Sequence, residues 1–273
     1  RVYAGRTSGA ADVCEEFLST LINVEQYPLK RLASMTASEA TKVLENSYRA
    51  VNIAFIDEWT KYSELIGIDL YEIVDAVRVR PTHSNIRSPG LGVGGYCLTK
   101  DPLFAPASLD GLFNIDGPEF IFSKLAMEVN QKMPLHAVER LSTLMNEELE
   151  NKNILIMGVS YKGDIGDSRF SPSELLVRTL KNRGANIVCF DPFLTYWPEM
   201  EQPLLSELPD AAQYDAVVFA TAHRQFYELD ILSWLKGKQL VILDAVNVMS
   251  ENQRRICRQS GVIVETIGRG NGL

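Results

Sequence analysis

The strongest constraint on this chain is a change of hydrophobic rhythm at Asn151. Before it, apolar residues recur mostly three and four positions apart, the period of a helix face; after it, short apolar runs alternate with helical segments. In the first half, Ala10–Thr20 reads as a short amphipathic helix. Thr36-Ala-Ser-Glu39 has the form of a capping box, and the helix it opens carries Val43, Leu44, Val51, Ala54, Phe55, Trp59 and Leu65 on to about Ile66. A helix over 37–66 is about 45 Å long, more than one small core covers, which points to a long backbone helix or to a dimer interface. Asp69–Val79 makes another helix, and 118–149 a further stretch interrupted at Pro134.

From Asn153 the alternation predicts a doubly wound parallel sheet. Its strands are Asn153–Gly158, Asn186–Phe190, Ala216–Ala220, Gln239–Leu243 and Val262–Glu265, with a helix over Ser171–Arg183 stopped by Gly184. The fold class is therefore α/β: an all-helical dimerisation domain over 6–150, then a Rossmann-like domain over 151–273, joined at Leu149–Asn153. Residues 1–5 read as the end of a strand with nothing before it to pair with, the remnant of a preceding domain.

With 46% apolar residues the 273-residue chain is globular, not disordered. Its net charge of −8 argues against a nucleic-acid partner. No apolar run approaches the roughly 20 residues that cross a bilayer. Cys14, Cys97, Cys189 and Cys257 are scattered and the three histidines have no zinc spacing, so no metal is expected and a reduced cytoplasm fits best.

Gly90-Leu-Gly-Val-Gly-Gly-Tyr-Cys97-Leu-Thr-Lys100-Asp101-Pro102 carries the most chemistry. Its glycines expose backbone amides and admit a ligand to close approach. Lys100, within a turn of Cys97, would favour the thiolate, and Asp101 could orient or deprotonate water. The same pattern also fits a plain glycine-rich turn with a buried cysteine.

This stretch resembles the nucleophile motif of the UDP-glucose/GDP-mannose dehydrogenase family. Glu39-Ala-Thr-Lys42-Val-Leu-Glu-Asn46 resembles that family's central-helix segment, its Lys and Asn four apart on one face. Gly158-Val-Ser-Tyr161-Lys162-Gly-Asp-Ile-Gly-Asp167-Ser-Arg169-Phe-Ser-Pro172 resembles the loop that opens its last domain. Thr221-Ala-His223 and Asp244-Ala-Val-Asn247 are shorter matches, and for His223 a structural role stands beside a functional one.

The resemblance implies a four-electron oxidation of the C6 alcohol of a nucleotide sugar, with two NAD and no metal. Cys97 would be the nucleophile, Lys42 and Asn46 would serve the oxyanion or a water, and Asp101 the hydrolysis; taken alone, Lys42 and Asn46 also fit a solvated helix face. Ser88, Pro89, Gly90, Leu91, Gly92, Val93 and Gly94 would wrap the UDP-sugar, and Tyr161 and Lys162 would meet its base and phosphates. Lys100 and Arg169 would face NAD. The resemblance also implies that the helix over 37–66 is a homodimer core. Three departures stand out. The family's amino-terminal GxGxxG domain is absent from this sequence, Val246 stands where many members carry Arg, and His83 or Arg80 is the nearest match to an Arg lent across the dimer. Two other readings remain at this level. A nucleotide-sugar-binding or dimerisation module needs no thiol, and a β-hydroxyacid dehydrogenase carries out one two-electron step.

Overall fold

A computed structural model describes residues 1–270; 271–273, the end of the expected second domain, lie outside the described residues. The chain opens on β1 (Val2–Tyr3), α1 (Ser8–Leu21) and β2 (Lys30–Arg31), and β1 pairs parallel with β2. The strand expected to stand alone thus has a partner within the chain. Sequence pattern missed it because two-residue strands leave no periodic signal.

The long helix α2 runs from Met35 to Ile66, 32 residues or about 48 Å. Its cap is Ser34, whose hydroxyl accepts from the Ala37 N–H at 3.1 Å. The expected box at Thr36 and Glu39 is corrected: the chain is already helical at Met35, so Thr36 lies inside the first turn. Gly67, at φ 78°, ends the helix in the left-handed conformation that a glycine adopts without Cβ strain. Then come α3 (Leu70–Arg78), with Asp69 as its cap, and α4 (Phe104–Gly111).

The helix α5 (Ile121–Leu144) passes through Pro134 unbroken, where an interruption was expected. Proline removes only one helical donor, and burial on both sides holds the helix together: Ala126, Met127, Met133, Ala137, Val138 and Leu141 are all buried. Small residues let α2 and α5 pack closely, Ala50 and Ala54 against Ala126. Asn130 Nδ2 donates across this seam to the Ala50 carbonyl at 3.0 Å.

Beyond it lie β3 (Asn153–Met157), α6 (Pro172–Asn182), β4 (Asn186–Phe190), the hairpin strands β5 (Tyr196–Trp197) and β6 (Gln202–Pro203), and β7 (Ala216–Phe219). The chain finishes with α7 (Arg224–Tyr227), α8 (Ile231–Leu235), β8 (Val241–Asp244), α9 (Glu251–Gln259) and β9 (Ile263–Thr266). The five-stranded sheet has the order β4-β3-β7-β8-β9, parallel throughout. Alternation along β3 sends Ile154 and Ile156 to a core shared with α5 and α6, and Leu155 and Met157 to one on the opposite face with Trp234, Leu235 and Cys257. The sheet is the doubly wound one that the sequence predicts, and its strand order reverses between β3 and β7.

No helix among the described residues is long and apolar enough to cross a membrane. Along α2, Phe55, Trp59 and Tyr62 form a chain of ring contacts at 6.2 and 5.5 Å on an exposed face that ends at Leu65, 86% exposed.

Candidate active site

Of the four cysteines, one is fully exposed. Cys97 is exposed, Cys14 half-buried, and Cys189 and Cys257 buried. Burial pushes the Cys189 thiol up to about 12 and raises Cys257 as well, which keeps both protonated and inert.

Cys97 begins a turn, its carbonyl accepting from the N–H of Lys100 at 3.2 Å and of Asp101 at 2.9 Å. Beneath it, Asp101 is buried and joins two elements far apart in sequence. Its Oδ2 accepts from Asn46 Nδ2 at 2.7 Å and its Oδ1 from Lys100 Nζ at 2.9 Å. Asn46 is fully buried, and its Oδ1 has no partner among the described residues. A buried carbonyl acceptor left open in this way suits a water or a substrate hydroxyl.

Lys100 is not aimed at the thiol as expected. Its ammonium bonds Asp101 and lies over the rings of Tyr96 and Phe104, at 4.5 and 4.4 Å. The Asp101 hydrogen bond is the main reason its pKa is raised, and Cys97 contributes least. Lys42, one turn before Asn46, is exposed and 3.7 Å from Glu45.

The glycine loop is seated on the second domain. A Cβ at Gly94 would lie 2.4 Å from the Phe170 carbonyl oxygen and 2.9 Å from Tyr161, and one at Gly95 would lie 2.7 Å from the Tyr161 ring. Gly95 N–H donates to the Arg169 carbonyl at 3.2 Å. Gly92, at φ 106°, lies against the Asn130 carbonyl, the one whose helical donor Pro134 lacks. The loop's foot is fixed by Arg78, which donates to the Ile86 carbonyl and, at 2.8 Å, to Ser88 Oγ. Pro89 is buried against Gly268, so the residues before and after the sheet meet at this loop. Arg78 was missed in sequence because nothing separates its spacing from that of any helix-end arginine.

Gly94 and Gly95 thus meet Tyr161, Ser88 is tied to Arg78, and Asn46 of α2 joins Asp101 and Lys100 beside the turn that begins at Cys97. Lys162 is exposed beside Tyr161. Arg169 is exposed and bonds Asp167 through Nη2 at 2.6 Å, which raises its own pKa and lowers that of Asp167. Open α/β sheets usually receive ligands where the strand order reverses, which is between β3 and β7 in this sheet. There Thr221 Oγ1 donates to the Ser160 carbonyl at 2.7 Å, and His223 is buried. The loop after β3, Gly158-Val-Ser-Tyr-Lys-Gly163, lacks the GxGxxG pattern of a dinucleotide cradle. Of the two cations expected to face NAD, Lys100 is half-buried and paired with Asp101, and Arg169 is exposed and paired with Asp167.

Two segments match one known family: residues 36–132 the UDP-glucose/GDP-mannose dehydrogenase family, central domain, and residues 155–251 its UDP binding domain. Over 99% of its length the chain is 31% identical to the UDP-N-acetyl-D-mannosamine dehydrogenase of Methanocaldococcus jannaschii, spanning 59% of that protein. Over 81% of its length it is 28% identical to the UDP-glucose 6-dehydrogenase of Rickettsia bellii, spanning 52% of it. The fold superimposes on the NDP-N-acetyl-D-galactosaminuronic acid dehydrogenase of Methanosarcina mazei Go1 with a TM-score of 0.82 at 26% identity, covering 99% of this chain and 58% of that one. With central and UDP-binding regions both matched, in order, the chain belongs to the UDP-glucose/GDP-mannose dehydrogenase family.

Proposed function

We propose that this chain forms the thiol and nucleotide-sugar part of an NAD-dependent 6-dehydrogenase that oxidises UDP-glucose or a UDP-N-acetylhexosamine to the uronate. The observation that carries the reading is the single exposed thiol, Cys97, set between a glycine loop seated on the UDP-binding region and the Asn46–Asp101–Lys100 chain beneath it.

The loop Ser88–Gly94 and Tyr161 enclose the nucleotide sugar, and the exposed Lys162 meets its phosphates. Lys100 and Arg169 would hold NAD at its pyrophosphate, and NAD would supply the hydride acceptor for both oxidations. Cys97 Sγ adds to the C6 aldehyde, giving a thiohemiacetal whose tetrahedral carbon can lose a hydride. Oxidation leaves a thioester on Cys97. A water adds to it, and the thiolate departs as the carboxylate forms. Asn46, with its open Oδ1, holds a water or hydroxyl at the reacting carbon. Lys42 faces the oxyanion and takes up or returns its proton. Asp101 keeps further lone pairs for the hydrolytic water even with Lys100 and Asn46 bound.

We further assign residues 6–150 and 151–273 to the two functional domains, α2 to a homodimer core, and the protein to the cytoplasm. The test is product stoichiometry. The protein carrying this chain together with an NAD-binding region is given a panel of UDP-glucose, UDP-N-acetylmannosamine, UDP-N-acetylglucosamine and GDP-mannose. Two NADH and one uronate per UDP-sugar are expected; one NADH per turnover overturns the thiol mechanism.

A further inference from the structure

His223 has no part in the chemistry proposed above, yet it is fully buried and bonded at both ring nitrogens. Its Nδ1 accepts from the Asp164 N–H at 3.0 Å. Its Nε2 lies 3.2 Å from Asp191 Oδ2. Because Nδ1 accepts, the ring proton belongs on Nε2. Phe193 stacks on the ring at 5.2 Å and Phe226 meets it edge-on at 5.3 Å, so the ring has one orientation.

Asp191 carries the other end of the arrangement. Its Oδ2 also accepts from the N–H groups of Val159 and Ser160, at 2.8 and 2.9 Å. Burial opposes its charged form, but the bonds from His223, Phe193 and Ser160 prevail and hold its carboxyl below the usual range. The pair therefore grips the loop after β3 twice, at its start through Asp191 and at its turn through Asp164. Asp164 is held at φ 60°, a left-handed conformation that costs free energy unless its surroundings fix it. Between the two grips lies Tyr161, whose ring abuts Gly95.

We propose that His223 is a positioning residue for the UDP-sugar subsite: as the Nε2–H tautomer it fixes the loop that sets Tyr161 against the glycine run. The proposal rests on the reading that this loop receives a UDP-sugar.

Two variants separate its two bonds. His223→Asn keeps an acceptor near the position of Nδ1, and His223→Gln keeps a donor near that of Nε2. Calorimetric titration of the 273-residue chain with UDP should give His223→Asn an affinity near that of the unaltered chain. His223→Gln should bind about tenfold more weakly, the loss expected when one buried donor goes unpaired. Unchanged affinity in His223→Gln overturns the inference alone, whereas an unaltered chain that binds no UDP overturns the substrate reading and the inference with it. Should the variants not fold, 15N NMR of the unaltered chain decides the matter, since a proton on Nδ1 of His223 rules out the grip on Asp164.

Discussion

At the scale of single residues, exposure separates one cysteine from three, and chemistry should follow it. Cys97 should be labelled by a thiol reagent well ahead of Cys14, Cys189 and Cys257, and Cys97→Ser should lower turnover by several orders of magnitude while leaving UDP-sugar binding intact. Mass spectrometry of the labelled chain and steady-state assay check the two halves; near-normal uronate production by the serine variant refutes the assignment. Lys42 and Asn46 sit one turn apart, yet their environments differ entirely. Asn46→Ala strips a hydrogen bond from buried Asp101 and should destabilise the fold by about 1–3 kcal/mol in urea denaturation. Lys42→Ala, at an exposed position, should stay within about 0.5 kcal/mol, and both should lose turnover. Asp191 supplies a pH signature. With its pKa lowered on folding, the unfolded chain binds the proton more tightly. Its stabilising contribution is complete above the ordinary carboxylate range and is lost as pH falls through the depressed value. Between pH 6 and pH 3 the thermal midpoint of the unaltered chain should therefore fall further than that of Asp191→Asn; equal falls would show that the carboxylate is not the sensor.

At the scale of elements, α2 is long enough, and apolar on enough sides, to need more than this chain offers. Phe55, Trp59, Tyr62 and Leu65 stay exposed when α5 has covered Ala50 and Ala54. A stripe of this kind is an association surface or an aggregation hazard. Light scattering should give the mass of a homodimer, and Trp59→Arg with Leu65→Glu should give a monomer; a monomeric unaltered chain removes α2 as the interface. These elements were largely legible in the sequence because helix period and strand-sized runs are local signals. The separate strands, the loop at Gly90–Gly95, the helix that opens at Asp69 and the helix that runs to about Ile66 all follow from residues within a few positions of one another. What escaped was set by distant partners. Ser34, not Thr36, caps α2, since either hydroxyl could serve and the path of the chain decides. Pro134 leaves α5 whole because neighbouring elements bury it. Lys100 turns from the thiol to Asp101, which Asn46 holds from 55 residues away. Geometry of that kind exists only once α2 and the glycine loop are packed together.

At the scale of the whole molecule, the two halves meet along more than the glycine loop. Glu64 at the end of α2 accepts from His136 Nε2 at 2.8 Å and from the Gly268 N–H at 2.7 Å, while Arg140 of α5 bonds Glu265 of β9. Above all, α5 belongs to both cores. Ala126 packs against α2, and Ala137, Val138 and Leu141, with Met145 and Leu149 beyond the helix, close one face of the sheet. A core that draws one wall from residues ahead of Asn151 cannot come apart there without baring that wall. Such a chain has no independently melting half. Scanning calorimetry should show one endotherm whose calorimetric and van't Hoff enthalpies agree, and a fragment starting at 151 should give no sharp transition of its own.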